Sequence, residues 1–208
     1  MTNTLILASS SPRRRQLLKQ MGLEFEVIPA DIDETARVQE RPQALVRRLA
    51  VSKAVRVGEV HAEAVVIGAD TVVALGRTIL GKPQDTREAE RMLQMLSGTR
   101  HEIYTGVSVW SGTRGQGFVK VCVARVTFRP LLPVEIQAYV ATGEPMDKAG
   151  AYAIQGGAGQ WVESYEGNLE TVVGLPRETV ERLLKRMAGD KAWGFEKHPG
   201  TKGRGSGS

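Results

Sequence analysis

Cysteine is almost missing. A single thiol, Cys122, in 208 residues excludes an internal disulfide framework and a cysteine-based zinc site. Histidine is scarce too: His61, His101 and His198 stand far apart, with no metal-ligand spacing between any two. Aromatics make up only 5% of the chain, so a core must come from Val, Leu, Ile, Ala and Met. No apolar run is long enough to predict a membrane-spanning helix. At the N-terminus the arginines follow a short apolar run, the reverse of a secretory signal, and a cytoplasmic location is expected. There is no GxSxG elbow, and Cys122 sits in a valine-rich stretch where a buried, inert thiol is expected, which argues against nucleophilic catalysis. The formal charge of +5 is mild for a duplex-binding domain and suits an anionic small ligand at least as well. No helix-turn-helix, zinc finger or aromatic-studded basic sheet is present.

What is there alternates. Hydrophobic residues are 41% and charged residues 25%, ordinary values for a globular chain. Stretches of strand and helix character follow one another, predicting an α/β fold. TLILA (residues 4–8) reads as a buried strand, and Ser11-Pro12 as the N-cap and first residue of a helix that Gly22 stops. FEVIP (25–29) reads as a strand and residues 42–57 as a helix. AVVIGAD is an apolar run ending in Asp70, and TVVALGRTIL reads as two short strands folded near Gly76. A helix spans Ala89 to Leu96, and two strands, 101–110 and 117–128, flank a turn-rich SGTRGQG. Val119, Val121 and Val123 share one phase while Val126 and Phe128 share the other, which predicts a bulge near Ala124 or Arg125. Helices opened by proline are expected over 133–142 and 176–187. Residues 1–187 read as a single domain and 188–208 as a flexible tail.

Five segments carry polar groups suited to chemistry. Ser9, Ser10 and Ser11 precede Arg13, Arg14 and Arg15 at a helix start, where backbone N–H groups, hydroxyls and guanidinium forks suit a phosphate chain; a capped helix with solvated arginines is the plain alternative. Asp31-Ile32-Asp33-Glu34 offers carboxylate oxygens to a hard cation, or is a solvated acidic turn. Asp70-Thr71 closes AVVIGAD, where an acid can ligate metal or orient a water. Gly81-Lys82-Pro83 is one residue short of a Walker A loop. Pro83 stands where the Mg²⁺-binding hydroxyl belongs, so a P-loop is rejected and Lys82 kept as a phosphate contact. Residues 147–157 form a polar, glycine-rich stretch in which Gln155 has a donor and an acceptor for a base edge.

In order along the chain, these segments resemble the Maf family of nucleoside triphosphate pyrophosphatases. The resemblance rests on Leu7 to Arg14, Asp33-Glu34, Ala50 to Ala54 with Lys53, Gly68 to Thr71, Gly81-Lys82-Pro83, Leu96-Ser97-Gly98 with His101, and Thr105-Gly106-Val107. It continues through Phe128-Arg129, Asp147 to Tyr152 with Gln155-Gly156, and Val173 to Pro176. It implies an inosine-triphosphate pyrophosphatase-like fold: an elongated mixed sheet flanked by helices, with a cleft between two lobes, commonly in a homodimer. It also implies metal-dependent cleavage, with Mg²⁺ or Mn²⁺, of the α–β phosphoanhydride of a nucleoside triphosphate. In the branch acting on dTTP and UTP, an Arg, a Thr and a Gln mark specificity, matched here by Arg13, Thr71 and Gln155. Leu169, Thr171 and Arg177 depart from the family pattern, away from the phosphate and specificity positions.

The expectation is a catalytic Asp70 serving as general base and metal ligand, with Glu34 as a second catalytic and metal-side carboxylate. Arg13, Arg14, Lys53 and Lys82 hold the phosphates with Ser9 to Ser11, while Thr71 and Gln155 read the base. The competing readings are a 7-methyl-GTP pyrophosphatase of the same fold and a non-enzymatic nucleic-acid-binding regulator of cell division. Neither a membrane nor a specific nucleic-acid partner is expected.

Overall fold

The structure, a computed structural model, describes residues 4–188 and Trp193. Of the tail expected over 188–208, everything except Ala188 and Trp193 lies outside the described residues. Seven strands form one mixed sheet flanked by helices. The elements are β1 (Leu5–Leu7), α1 (Pro12–Lys19), β2 (Glu26–Val27), α2 (Pro42–Gly58), β3 (Val65–Leu75), β4 (Thr78–Leu80), α3 (Thr86–Leu96), β5 (Arg100–Ser111), β6 (Gln116–Phe128), α4 (Pro133–Ala141), β7 (Val162–Glu166), α5 (Leu169–Val173) and α6 (Arg177–Ala188). Short 3₁₀ turns at Glu144–Asp147, Ala149–Ala151 and Gly157–Trp161 link α4 to β7. No helix among the described residues is long and apolar enough to cross a membrane.

The strand order is β2-β1-β3-β5-β6-β7, with β4 against β3 beyond the end of β1. β1 runs parallel to β2 and β3, and the remaining pairs are antiparallel. On one edge of β3, Ile67 pairs with Leu7 and Val73 pairs with Leu80. Between those pairings, residues 68–72 meet no strand on that side among the described residues. The sheet has a gap there.

Side chains alternate across a strand, and both faces are covered. Even-numbered residues of β3 and β5 face α2, where Leu45, Val46 and Leu49 pack with Val72, Ala74 and Tyr104. Odd-numbered residues face α1 and α6 at one end (Val65, Ile67, Val107, Leu18, Leu184) and α3 and α4 at the other (Val73, Ile103, Leu93, Leu96, Tyr139). The α2 contact is unusually close. A Cβ placed on Gly68 would stand 2.2 Å from the Ala50 carbonyl, and one on Gly106 2.2 Å from that of Val46.

Four expectations need correction. AVVIGAD and TVVAL form one unbroken strand of eleven residues, so Asp70 lies mid-strand; the hairpin at Gly76, with φ +60°, and the short strand after it form as expected. FEVIP shrinks to the two residues of β2. No bulge occurs near Ala124 or Arg125, since β5 and β6 stay in register from Arg100↔Thr127 to Ser111↔Gln116; the irregularity falls at Thr127/Phe128 against β7. The phase switch in β6 reflects cover on both faces: Val121 and Val123 pack toward α2, and Val126 and Phe128 into the α3–α4 core. Cys122 is half-buried, its Sγ 3.3 Å from Thr179 Oγ1, rather than sealed in. Strand β7 and helix α5 were not foreseen.

Candidate active site

A cavity of about 650 Å³ opens at the gap in the sheet. Because the gap lets it through, the cavity collects residues from both faces: Leu49, Lys53 and Asp70 from the α2 side, Thr71, Val73, Tyr152 and Val173 from the other. Adjacent residues of β3 can therefore serve one cavity from opposite sides.

On the α2 side, buried Lys53 extends its ammonium to two carboxylates. Its Nζ lies 2.7 Å from Asp70 Oδ1 and 2.7 Å from Glu34 Oε1. The glycine-mediated approach of α2 to β3 is what brings Lys53 within reach. Asp70 is only 6% exposed, so its charge needs this partner. Glu34 sits on an irregular segment pinned to α2 from outside. Arg48 forks onto Glu40 at 2.8 and 2.7 Å and donates to the Thr35 carbonyl at 3.0 Å. The Arg48–Glu40 hydrogen bond pulls the Glu40 carboxyl down to about 2. Burial pushes the Glu34 carboxyl up, but the Lys53 hydrogen bond and the charges of Lys53, Lys82 and Arg14 outweigh it, and the net shift is downward.

Helix α1 forms as its residues dictate. The Ser11 hydroxyl accepts from Arg14 N, and Pro12 occupies the first turn. Ser9 Oγ accepts from Ser11 N at 3.2 Å and Arg14 Nη1 at 3.3 Å, leaving its own O–H to donate. Arg14 turns inward, to the Gly174 and Ala69 carbonyls and the Thr71 hydroxyl. Arg13 faces the opposite wall; burial lowers its pKa, and Asp147, Tyr139 and Glu144 partly offset that. Lys82 stands exposed at the rim, just past β4.

Of the residues singled out in the sequence, the structure brings Ser9, Ser10, Ser11, Arg13, Arg14, Glu34, Lys53, Asp70, Thr71 and Lys82 to this cavity. Gln155 is not among them. It is exposed, while its neighbour Ile154 lines the wall. Asp147 and the Lys148 paired with it, from the polar stretch 147–157, also line the cavity; sequence reasoning assigned no role to Arg48 as the clamp, nor to Thr105 and Gly174 beneath Thr71. Thr105 and Gly174 lie in segments that carry the family resemblance, but Arg48 left no signal.

Among the described residues, no three His, Cys, Asp or Glu side chains converge as a preformed metal cage. Two carboxylates already bridged by an ammonium fit Mg²⁺, which binds through one or two carboxylates, waters and substrate phosphates.

A dTTP/UTP pyrophosphatase of Moorella thermoacetica is 48% identical over 190 residues, 91% of this chain and 97% of that protein. A dTTP/UTP pyrophosphatase of Myxococcus xanthus is 49% identical over 189 residues, 91% of this chain and 95% of that protein. In fold, the chain is similar to the Staphylococcus aureus Ham1 protein, with a TM-score of 0.50 at 15% identity, covering 89% of this chain and all of that one. The family model described as Maf-like protein matches residues 4–187, and the chain belongs to that family.

Proposed function

We propose that this protein is a nucleoside triphosphate pyrophosphatase that hydrolyses the α–β anhydride of dTTP and UTP to the monophosphate and pyrophosphate. One observation carries the reading: Lys53 bridging Asp70 and Glu34 in a gap of the sheet, with Arg13, Lys82 and three serines around the same cavity. The names of the relatives supply the substrates.

A triphosphate shields its phosphorus atoms with negative charge, so hydrolysis needs cations around it and an aimed water. Arg13 and Lys82 neutralise the phosphates at the mouth, and Ser9 donates its hydroxyl deeper in. Lys53 holds one oxygen of Asp70, leaving the other to take the proton of the attacking water. Asp70 and Glu34 would hold a divalent cation, Mg²⁺ or Mn²⁺, which would neutralise phosphate charge. A homodimer working in the cytoplasm accompanies this reading; sedimentation and fractionation check it.

The test is a nucleotide panel of dTTP, UTP and 7-methyl-GTP with pyrophosphate detection. The native protein is expected to prefer dTTP and UTP. Asp70→Asn is expected to cut kcat by about two to four orders of magnitude while circular dichroism stays native. Near-normal turnover by a folded Asp70→Asn protein would sink the assignment. Preference for 7-methyl-GTP would move the chain to the other branch.

A further inference from the structure

Beneath the cavity runs a chain of hydrogen bonds with only one consistent direction. Thr105 Oγ1 donates its single proton to the Thr171 carbonyl at 2.7 Å. At its 2.9 Å contact with Thr71 Oγ1 it must therefore accept, which commits the Thr71 proton. Thr71 Oγ1 in turn accepts from Arg14 Nη2 at 2.9 Å. Arg14 also donates from Nε to the Gly174 carbonyl at 2.9 Å, and from Nη1 to the Ala69 carbonyl at 2.8 Å and Ser9 Oγ at 3.3 Å. Four of the five guanidinium donors are thus committed inside the protein. The enclosure is tight: a Cβ on Gly174, whose φ is +112°, would lie 3.0 Å from Thr71 Oγ1 and 3.3 Å from Arg14 Nε.

We infer that Arg14 and Thr71 are positioning residues: the relay Arg14→Thr71→Thr105→Thr171 fixes the Asp70 segment of β3 against α1 and α5, instead of reading phosphate or base. The Ala69 carbonyl lies in the part of β3 that lacks a strand neighbour, so Arg14 supplies the hydrogen bond a strand would have given. At its far end the relay holds α5, whose Val172 and Val173 line the cavity. With its proton committed to Thr105, the Thr71 hydroxyl can donate to a pyrimidine carbonyl only by breaking that bond. The kinetic part of this inference rests on the proposed pyrophosphatase activity; the structural part does not.

The experiment compares Arg14→Lys, Thr71→Val, Thr71→Ser and their combination. For dTTP, Arg14→Lys and Thr71→Val are each expected to lower kcat about 10- to 100-fold with KM within about threefold, the effect of a displaced catalytic group. Thr71→Ser keeps the hydroxyl and should restore kcat to within about threefold. The Arg14→Lys/Thr71→Val double variant should be no worse than the poorer single, since both break one chain. Calorimetry should find inorganic pyrophosphate bound as tightly as by the native protein. A roughly tenfold rise in KM and loss of pyrophosphate affinity in Arg14→Lys, with kcat intact, would overturn the inference, as would Thr71→Ser failing like Thr71→Val. Hydrogen exchange is the arm that needs no turnover: amides of residues 69–72 and 169–175 should exchange at least about tenfold faster in Thr71→Val and native-like in Thr71→Ser. Unchanged exchange in Thr71→Val overturns the relay even if the native protein hydrolyses no nucleotide. Should Arg14→Lys fail to fold, Thr105→Val removes the next link and must reproduce Thr71→Val.

Discussion

Lys53 satisfies two carboxylates with one charge, so its removal acts on both. The Glu34 carboxyl titrates below its ordinary 4.5, and its contribution to stability is present above that value and lost as pH falls through the lowered one. In Lys53→Met the burial that pushes Glu34 up remains and the chief cause pulling it down is gone. The loss of stability on acidification that Glu34 contributes should therefore flatten or reverse in the urea-derived profile, together with a loss of turnover. His101 carries a separate prediction. It is 1% exposed, its ring 2.9 Å from the Tyr152 hydroxyl, and burial lowers its pKa to about 4 from 6.5. Between pH 6.5 and 4 the unfolded chain takes up a proton that the folded one refuses, so stability rises with pH by up to about 3 kcal/mol across that window. His101→Gln should flatten this part of the profile, and an unchanged slope would disprove the origin. Residue identity was readable in the sequence where chemistry is local: Asp70, Lys53, Glu34 and the serine–arginine run all reach the cavity. Thr71 reaches it as well, but its contact with Thr105 across the sheet was not readable, nor was the exposure of Gln155, which depends on a loop.

Elements decide how these residues meet. Two glycines, Gly68 and Gly106, let α2 lie on the sheet at backbone distance, and that distance carries Lys53 to Asp70. Gly68→Ala would place a methyl 2.2 Å from the Ala50 carbonyl and 2.7 Å from Ala54 N. It should cost about 1–3 kcal/mol by urea denaturation and depress kcat by shifting Lys53. Gly81→Ala, with nothing within 4 Å of the added carbon, should stay within about 0.5 kcal/mol of native. Equal stability of the two variants would refute the close-packing argument. Helical periodicity and caps located α1, α2, α3, α4 and α6 because those signals are local. Strand β7 escaped because its residues are largely exposed and lack alternation, and α5 because five residues give too short a pattern.

At the level of the whole molecule, fold class was legible in the alternation of strands and helices, but the gap was not. It follows from β1 ending at Leu7 while β3 runs on to Leu75, a mismatch of lengths that only pairing reveals. The same two-sided cover that hides the gap made the valines of β6 look like a bulge. Under the proposed metal dependence, chelation should abolish turnover yet move the thermal midpoint by less than about 2 °C, because Lys53 already balances both carboxylates. A drop of about 10 °C or more on adding EDTA would show instead that the cation is structural. The ammonium bridge thus gives the resting protein an internal counter-ion. Purified under chelating conditions and stored without divalent salts, it should keep its shape and regain full turnover as soon as magnesium and nucleotide arrive together.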